Sequence, residues 1–178
     1  MQSYTHLPSL IPLSRDHGIA LFCAHYGRKA IRASKNDRLE LTEMIRAICR
    51  EQIDSNLEDE QWILSPVIGD ATLRAEFHQR HRNIRSLITQ LNSVEVFEDP
   101  GLGLLARIAN ALDDYVRWEE NILYPRIVEG INRHQSDQLS RLTATMEASR
   151  NRPTQRLHSS IARKHSLSDL QSANSHYD

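Results

Sequence analysis

The sequence predicts an all-α fold: an antiparallel up-down-up-down four-helix bundle with a short fifth helix and a disordered C-terminal tail. Three observations lead there. Glycine and proline number only six each in 178 residues. No stretch alternates apolar and polar residues as a half-buried strand would, and apolar residues recur three and four apart over long stretches. A hydrophobic content of 39% suffices for one core at this length when the apolar positions are patterned in this way. The expected organisation is a bundle over residues 1–149 and a tail over 150–178.

The first helix is expected to begin near Ser14, after Pro8 and Pro12, and to run to about Ser34, where Ser-Lys-Asn-Asp marks a turn. The second opens with Asp37 as N-cap and Glu40 three residues on, a pairing in which each side chain satisfies an orphan backbone donor. Pro66 limits its far end. The third follows Gly69-Asp70 and runs to about Ser93. The fourth opens at Asp99-Pro100, with proline at the first helical position, where its missing N–H costs nothing, and continues to about Gly130 with a kink at Pro125. Residues Ser136 to about Ser149 form the fifth helix, and beyond Arg150 few apolar residues remain to hold a core.

Composition excludes several function classes. Lys plus Arg number 22 against 23 Asp plus Glu, a formal charge of −1, which is not the basic footprint of a nucleic-acid binder. No leader-like or membrane-spanning run is visible, so the expectation is a cytoplasmic protein with no membrane partner. Cys23 and Cys49 read as small buried apolar residues rather than as a disulfide.

An amphipathic helix is stabilised chiefly by burying its apolar stripe, so polar residues on that stripe are the informative ones. On the first helix the stripe is Leu13, His17, Leu21, Ala24, Ile31. On the second it is Ile45, Cys49, Gln52, Asn56, Glu60, Ile63; on the third Leu73, Phe77, His81, Ile84, Ile88, Leu91; on the fourth Leu105, Ile108, Leu112, Tyr115, Glu119, Ile122. Two carboxylates and two imidazoles thus fall near mid-bundle. A buried ionised carboxylate costs several kcal/mol unless a cation or a dense set of hydrogen bonds offsets it. Two readings stay open on these residues: a metal ion, for which oxygen and imidazole donors without thiolate favour iron or manganese, or a dry network in which Glu and His pair directly, with Asn56 or Tyr115 as hydrogen-bonding neighbours. His25 falls beside the stripe, and Trp62 and Trp118 are expected to pack in the core or its wall. Glu58, Asp59 and Glu120 point away from the candidate ligands by a quarter to half a turn, as solvated or supporting residues.

The segments Leu13-Ser-Arg-Asp-His-Gly-Ile-Ala-Leu, Asn56-Leu-Glu-Asp-Glu-Gln-Trp-Ile-Leu-Ser-Pro66 and Tyr115-Val-Arg-Trp-Glu-Glu-Asn-Ile-Leu-Tyr-Pro125 resemble the hemerythrin-like (HHE cation-binding) domain family, over roughly residues 10–130. That family carries a histidine, then His-x-x-x-Glu before Leu-aromatic-Pro, then a histidine, then a second His-x-x-x-Glu with the same ending. The resemblance implies an antiparallel four-helix bundle around a dinuclear non-haem iron, or mixed iron and manganese, centre. Its ligands would be His17, Glu60, His81 and Glu119, with Glu60 and Glu119 bridging, and with Asn56 and Tyr115 standing where both motif histidines are replaced. Phe77 and Arg85 occupy the places, four residues either side of His81, where oxygen-carrying members hold another histidine.

These departures turn the expectation away from reversible oxygen carriage. An oxygen-rich centre, with an Asn56 carbonyl and a Tyr115 phenolate beside a ferric ion, favours O2 or peroxide chemistry: sensing, scavenging, or oxidation of a small substrate by an oxidase, oxygenase or peroxide-reactive oxidoreductase. The other class is a metal-depleted bundle acting on a protein partner, through its Ser/Arg-rich tail.

Overall fold

The computed structural model describes residues 7–94 and 99–150, and every regular element among them is helical. A 3-10 turn, Pro8–Leu10, leads into α1 (Ile11–Arg32). The next helix is built of α2 (Lys35–Ile48), a π turn (Cys49–Ile53) and α3 (Asp54–Leu64) without a break. Then come α4 (Ala71–Ser93) and α5 (Asp99–Trp118), which continues through a second π turn (Glu119–Leu123) into α6 (Tyr124–Gly130). The last is α7 (Arg133–Arg150). The chain divides into two compact units, residues 1–143 and 144–178, and of the second only 144–150, the end of α7, is described. The expected tail beyond Arg150 lies outside the described residues.

Local chemistry sets the helix ends. Ser34, not Asp37, is the N-cap of α2: its hydroxyl accepts from the Asp37 N–H and donates to the Asp37 carboxylate, which moves the start three residues earlier than expected. Asp70 caps α4 by accepting from Thr72 N and Leu73 N. At α7, Asn132 and Gln135 exchange backbone-to-side-chain bonds in a reciprocal capping box. Arginines close two C-termini from a distance: Arg38 donates to the Ala30 and Ala33 carbonyls at the end of α1, and Arg46 reaches Leu91 O and Val94 O at the end of α4.

The packing runs α1 on α5 and α2, and α4 on α5 and α2. Small residues line the α1 side. Ala20, Ala24, Gly27 and Ala30 are buried, and a Cβ added at Gly27 would sit 3.2 Å from Ala109 Cβ and 3.5 Å from the Leu105 carbonyl oxygen. A side chain at Gly27 would therefore press on α5, which would have to give by a few tenths of an ångström. Leu21, expected on this stripe, is instead 41% exposed. The contact line steps from His17 to Ala20, a turn of three that apolar bulk alone did not reveal.

The π turns account for the other displaced stripe positions. In each, a backbone N–H reaches back five residues instead of four (Asp54 N to Cys49 O, Tyr124 N to Glu119 O), so one extra residue enters the turn and the downstream face shifts by about 100° from strict α periodicity. Ile53 and Leu57 are therefore buried where Gln52 and Asn56 were expected, and Leu123 is buried while Ile122 is 45% exposed. The second π turn ends just before Pro125, which has no N–H for the Asn121 carbonyl; the Asn121 side chain in turn donates to Arg117 O. Trp62, expected in the core or its wall, is 53% exposed. No helix among the described residues is long and apolar enough to cross a membrane.

Candidate metal centre

Four helical segments contribute the buried polar residues. His17 lies one turn and a half into α1, Glu60 in α3, His81 in the middle of α4, and Glu119 opens the second π turn one helical turn after Tyr115. All five are buried, Glu119 completely. His17 Nε2 lies 2.9 Å from Glu119 Oε2, and His17 Nδ1 lies 3.1 Å from Glu120 Oε1. Tyr115 Oη lies 2.6 Å from Glu60 Oε2, 2.7 Å from Glu119 Oε1 and 2.6 Å from His81 Nε2. His81 Nε2 and Glu60 Oε2 are 3.5 Å apart. The four residues expected to converge do so.

His17, Glu60 and Glu119 each offer one ligand atom within 4.8 Å of the others. One imidazole nitrogen and two carboxylate oxygens at that spacing can close on a single hard or borderline cation. The donor set contains no thiolate. Cys23 and Cys49 are both buried and free, and hydrogen bonding to Cys49 together with burial pushes the Cys23 thiol well above its ordinary range, so it stays a protonated core residue.

The electrostatics explain why the centre is demanding. Among the described residues no Lys or Arg is buried, so no such side chain accompanies Glu60 and Glu119 in the interior. Burial first, and then the charge of Glu60, push the Glu119 carboxyl up to about 7, against the opposing pull of His17 and Tyr115. Burial pulls His17 down, but the hydrogen bonds and charge of Glu119, with Glu120 and Glu60, outweigh it and raise the imidazole to about 9. Burial, with the charges of Glu119 and Glu60, holds the Tyr115 and Tyr124 phenols well above their ordinary value, so both are neutral.

Asn56 is half-buried, and its neighbour Leu57 takes the core position, because the first π turn intervenes between Cys49 and Glu60. Tyr115 is where the stripe put it. Two further residues stand at the centre: Tyr124, for which the stripes gave no expectation, and Glu120, expected as a solvated or supporting residue, which supports His17. Tyr124 is fully buried, its ring stacks on His17 with centroids 5.8 Å apart, and its hydroxyl lies 3.3 Å from His17 Nε2. Glu120 approaches the far nitrogen of the same imidazole. Tyr124 is the fifth residue after Glu119, a spacing that is off-stripe for an α-helix and on-stripe for a π turn; the Tyr-Pro ending of the motif was the available signal. Phe77 packs on His81 at 4.2 Å between ring centroids, and His81 Nδ1 has no hydrogen-bond partner among the described residues. His25 and His134 are exposed, Glu58 and Asp54 face Arg85, and Trp118 is buried under the Arg80 guanidinium, 4.6 Å from its ring.

Comparison of the chain with family models, with curated proteins and with solved structures finds no match.

Proposed function

We propose that this protein is a non-haem metal-binding helical bundle in which His17, Glu60 and Glu119 hold a redox-active cation, iron or manganese, for O2 or peroxide chemistry. The observation that carries this reading is the pair of buried carboxylates with no buried Lys or Arg near them among the described residues. Leaving two such groups ionised in a low-dielectric interior costs several kcal/mol each unless a cation or a dense set of hydrogen bonds compensates, and the metal-free fold meets that cost by holding protons on His17 and Glu119. A divalent ion bound between them supplies that charge directly, and it fits a donor set already within 4.8 Å. When bound, such an ion supplies one-electron redox chemistry and a coordination position for a small oxidant.

The chain's own residues then divide the work. Glu60 and Glu119 neutralise and hold the cation. Glu120 accepts from His17 Nδ1–H, which fixes the tautomer that leaves Nε2 free as a donor atom, as outer partners of metal-bound histidines do. Phe77, Tyr124, Leu13 and Leu123, all fully buried, keep bulk water from the centre. The whole is proposed as an up-down-up-down four-helix bundle, with α2–α3 and α5–α6 each acting as one helix through their π turns. π turns inside helices recur at functional sites, and here the second one brings Glu119, Glu120 and Tyr124 around one imidazole. This centre is oxygen-rich, with one or two imidazoles, which favours oxidation chemistry over reversible O2 carriage.

The test is anaerobic loading of the purified chain with Fe(II) or Mn(II), desalting, and metal analysis, beside a Glu119→Gln variant. The parent should retain metal and the variant should lose most of it. Exposure of the iron-loaded parent to O2 or peroxide should then change its near-ultraviolet and visible absorption. A parent that retains no metal after desalting overturns the reading.

A further inference from the structure

The centre has two halves with the same kinds of donor. On one side His17 Nε2 meets Glu119 Oε2, with Glu60 completing the three-residue group. On the other, His81 Nε2, Glu60 Oε2 and Glu119 Oε1 surround a single point at 2.6, 2.6 and 2.7 Å, and the atom at that point is the Tyr115 hydroxyl oxygen. One imidazole and two carboxylate oxygens converging on one position is a cation's donor set, and here it is satisfied by a phenol.

We propose that Tyr115 limits the centre to one cation per chain, its hydroxyl standing where Glu60, Glu119 and His81 would otherwise hold a second. This rests on the reading of His17, Glu60 and Glu119 as a cation site. A zinc-sized divalent ion sits about 2.0–2.2 Å from imidazole nitrogen and carboxylate oxygen, so it cannot share that position with an oxygen already in hydrogen-bond contact with all three atoms. The phenol also meets most of their bonding needs. Its one O–H can serve either of the two carboxylate oxygens, and the His81 N–H can donate to it in return, so only one acceptor of the three-atom set gets no proton from this group. The side chain has little room to move aside: Tyr115 is buried, with His81 edge-on at 5.3 Å and Trp118 stacked at 6.3 Å between ring centroids.

The experiment counts Mn(II) bound per chain, by metal analysis after desalting, in the parent and in Tyr115→Phe, Tyr115→Ala and Tyr115→His. Electron paramagnetic resonance provides a second readout for spin-coupled ion pairs. The parent and Tyr115→Phe should bind one ion without coupling, the phenyl ring still filling the space. Tyr115→His and Tyr115→Ala, checked as helical by circular dichroism, should bind two, with a coupled signal. Two ions in the parent would overturn the proposal while leaving the cation site standing, and none would overturn both. One ion in the parent and still one in the folded His and Ala variants would show that the phenol is not what excludes the second.

Discussion

His17 and Glu119, 102 residues apart in sequence, meet in the interior with Nε2 and Oε2 2.9 Å from each other. Both hold protons more tightly in the fold than outside it: His17 rises from 6.5 to about 9, and Glu119 from 4.5 to about 7. A raised folded-state pKa contributes stability that is complete below the unfolded value and is lost as pH climbs through the folded one. For Glu119 that loss runs from 4.5 to about 7, and for His17 from 6.5 to about 9. The metal-free, chelator-treated chain should therefore show a falling urea midpoint between about pH 5 and pH 9. A midpoint that rises across this interval would contradict the protonation states assigned to the pair.

Removing charge from the centre should separate ligands from bystanders. Glu60→Gln and Glu119→Gln should each lose most of their bound Fe(II) or Mn(II), because an amide supplies a weaker oxygen and none of the compensating charge. Asn56→Ala should retain metal close to the parent's level, since its side chain is neutral and only half-buried. Metal analysis of the three variants side by side decides this, and equal occupancy in all of them would remove the claim that the carboxylates hold the ion.

The approach of α1 to α5 is open to a test of stability alone. Gly27→Val places a branched side chain where a single Cβ already meets Ala109 Cβ at 3.2 Å, and overpacking of this kind typically costs about 1–3 kcal/mol. A lowered urea midpoint with unchanged helix content is the expected result. Unchanged stability would mean that the two helices are not in close contact at this point.

The residues of the centre were largely legible in the sequence, because His17, His81, Tyr115 and Glu119 interrupt apolar stripes that follow the α period up to their own positions. Burial of a charged or polar side chain on such a stripe is costly enough to stand out. What the period could not show is where it changes. The turns at Cys49–Ile53 and Glu119–Leu123 each take in one extra residue, which exchanges Asn56 for Leu57 and Ile122 for Leu123 on the buried face. It also brings Glu120 and Tyr124 to His17, contacts that no strict three-and-four spacing predicts. Leu21 misled for a different reason: a large apolar residue draws a stripe toward itself, while the true contact line of α1 is made by Ala20, Ala24 and Gly27. Ser34 was passed over as a cap because Asp37 and Glu40 form an equally plausible pair of capping residues three positions on.

The proposed cation sits between His17, Glu60 and Glu119. The most direct measurement is an anomalous difference map from crystals grown with Mn(II), collected where manganese scatters anomalously. One peak per chain is expected, in the interior, within bonding distance of His17 Nε2 and of an oxygen from each of Glu60 and Glu119. A map with no peak there at full manganese saturation, with the two glutamates still bonded only to His17, His81 and Tyr115, would contradict it.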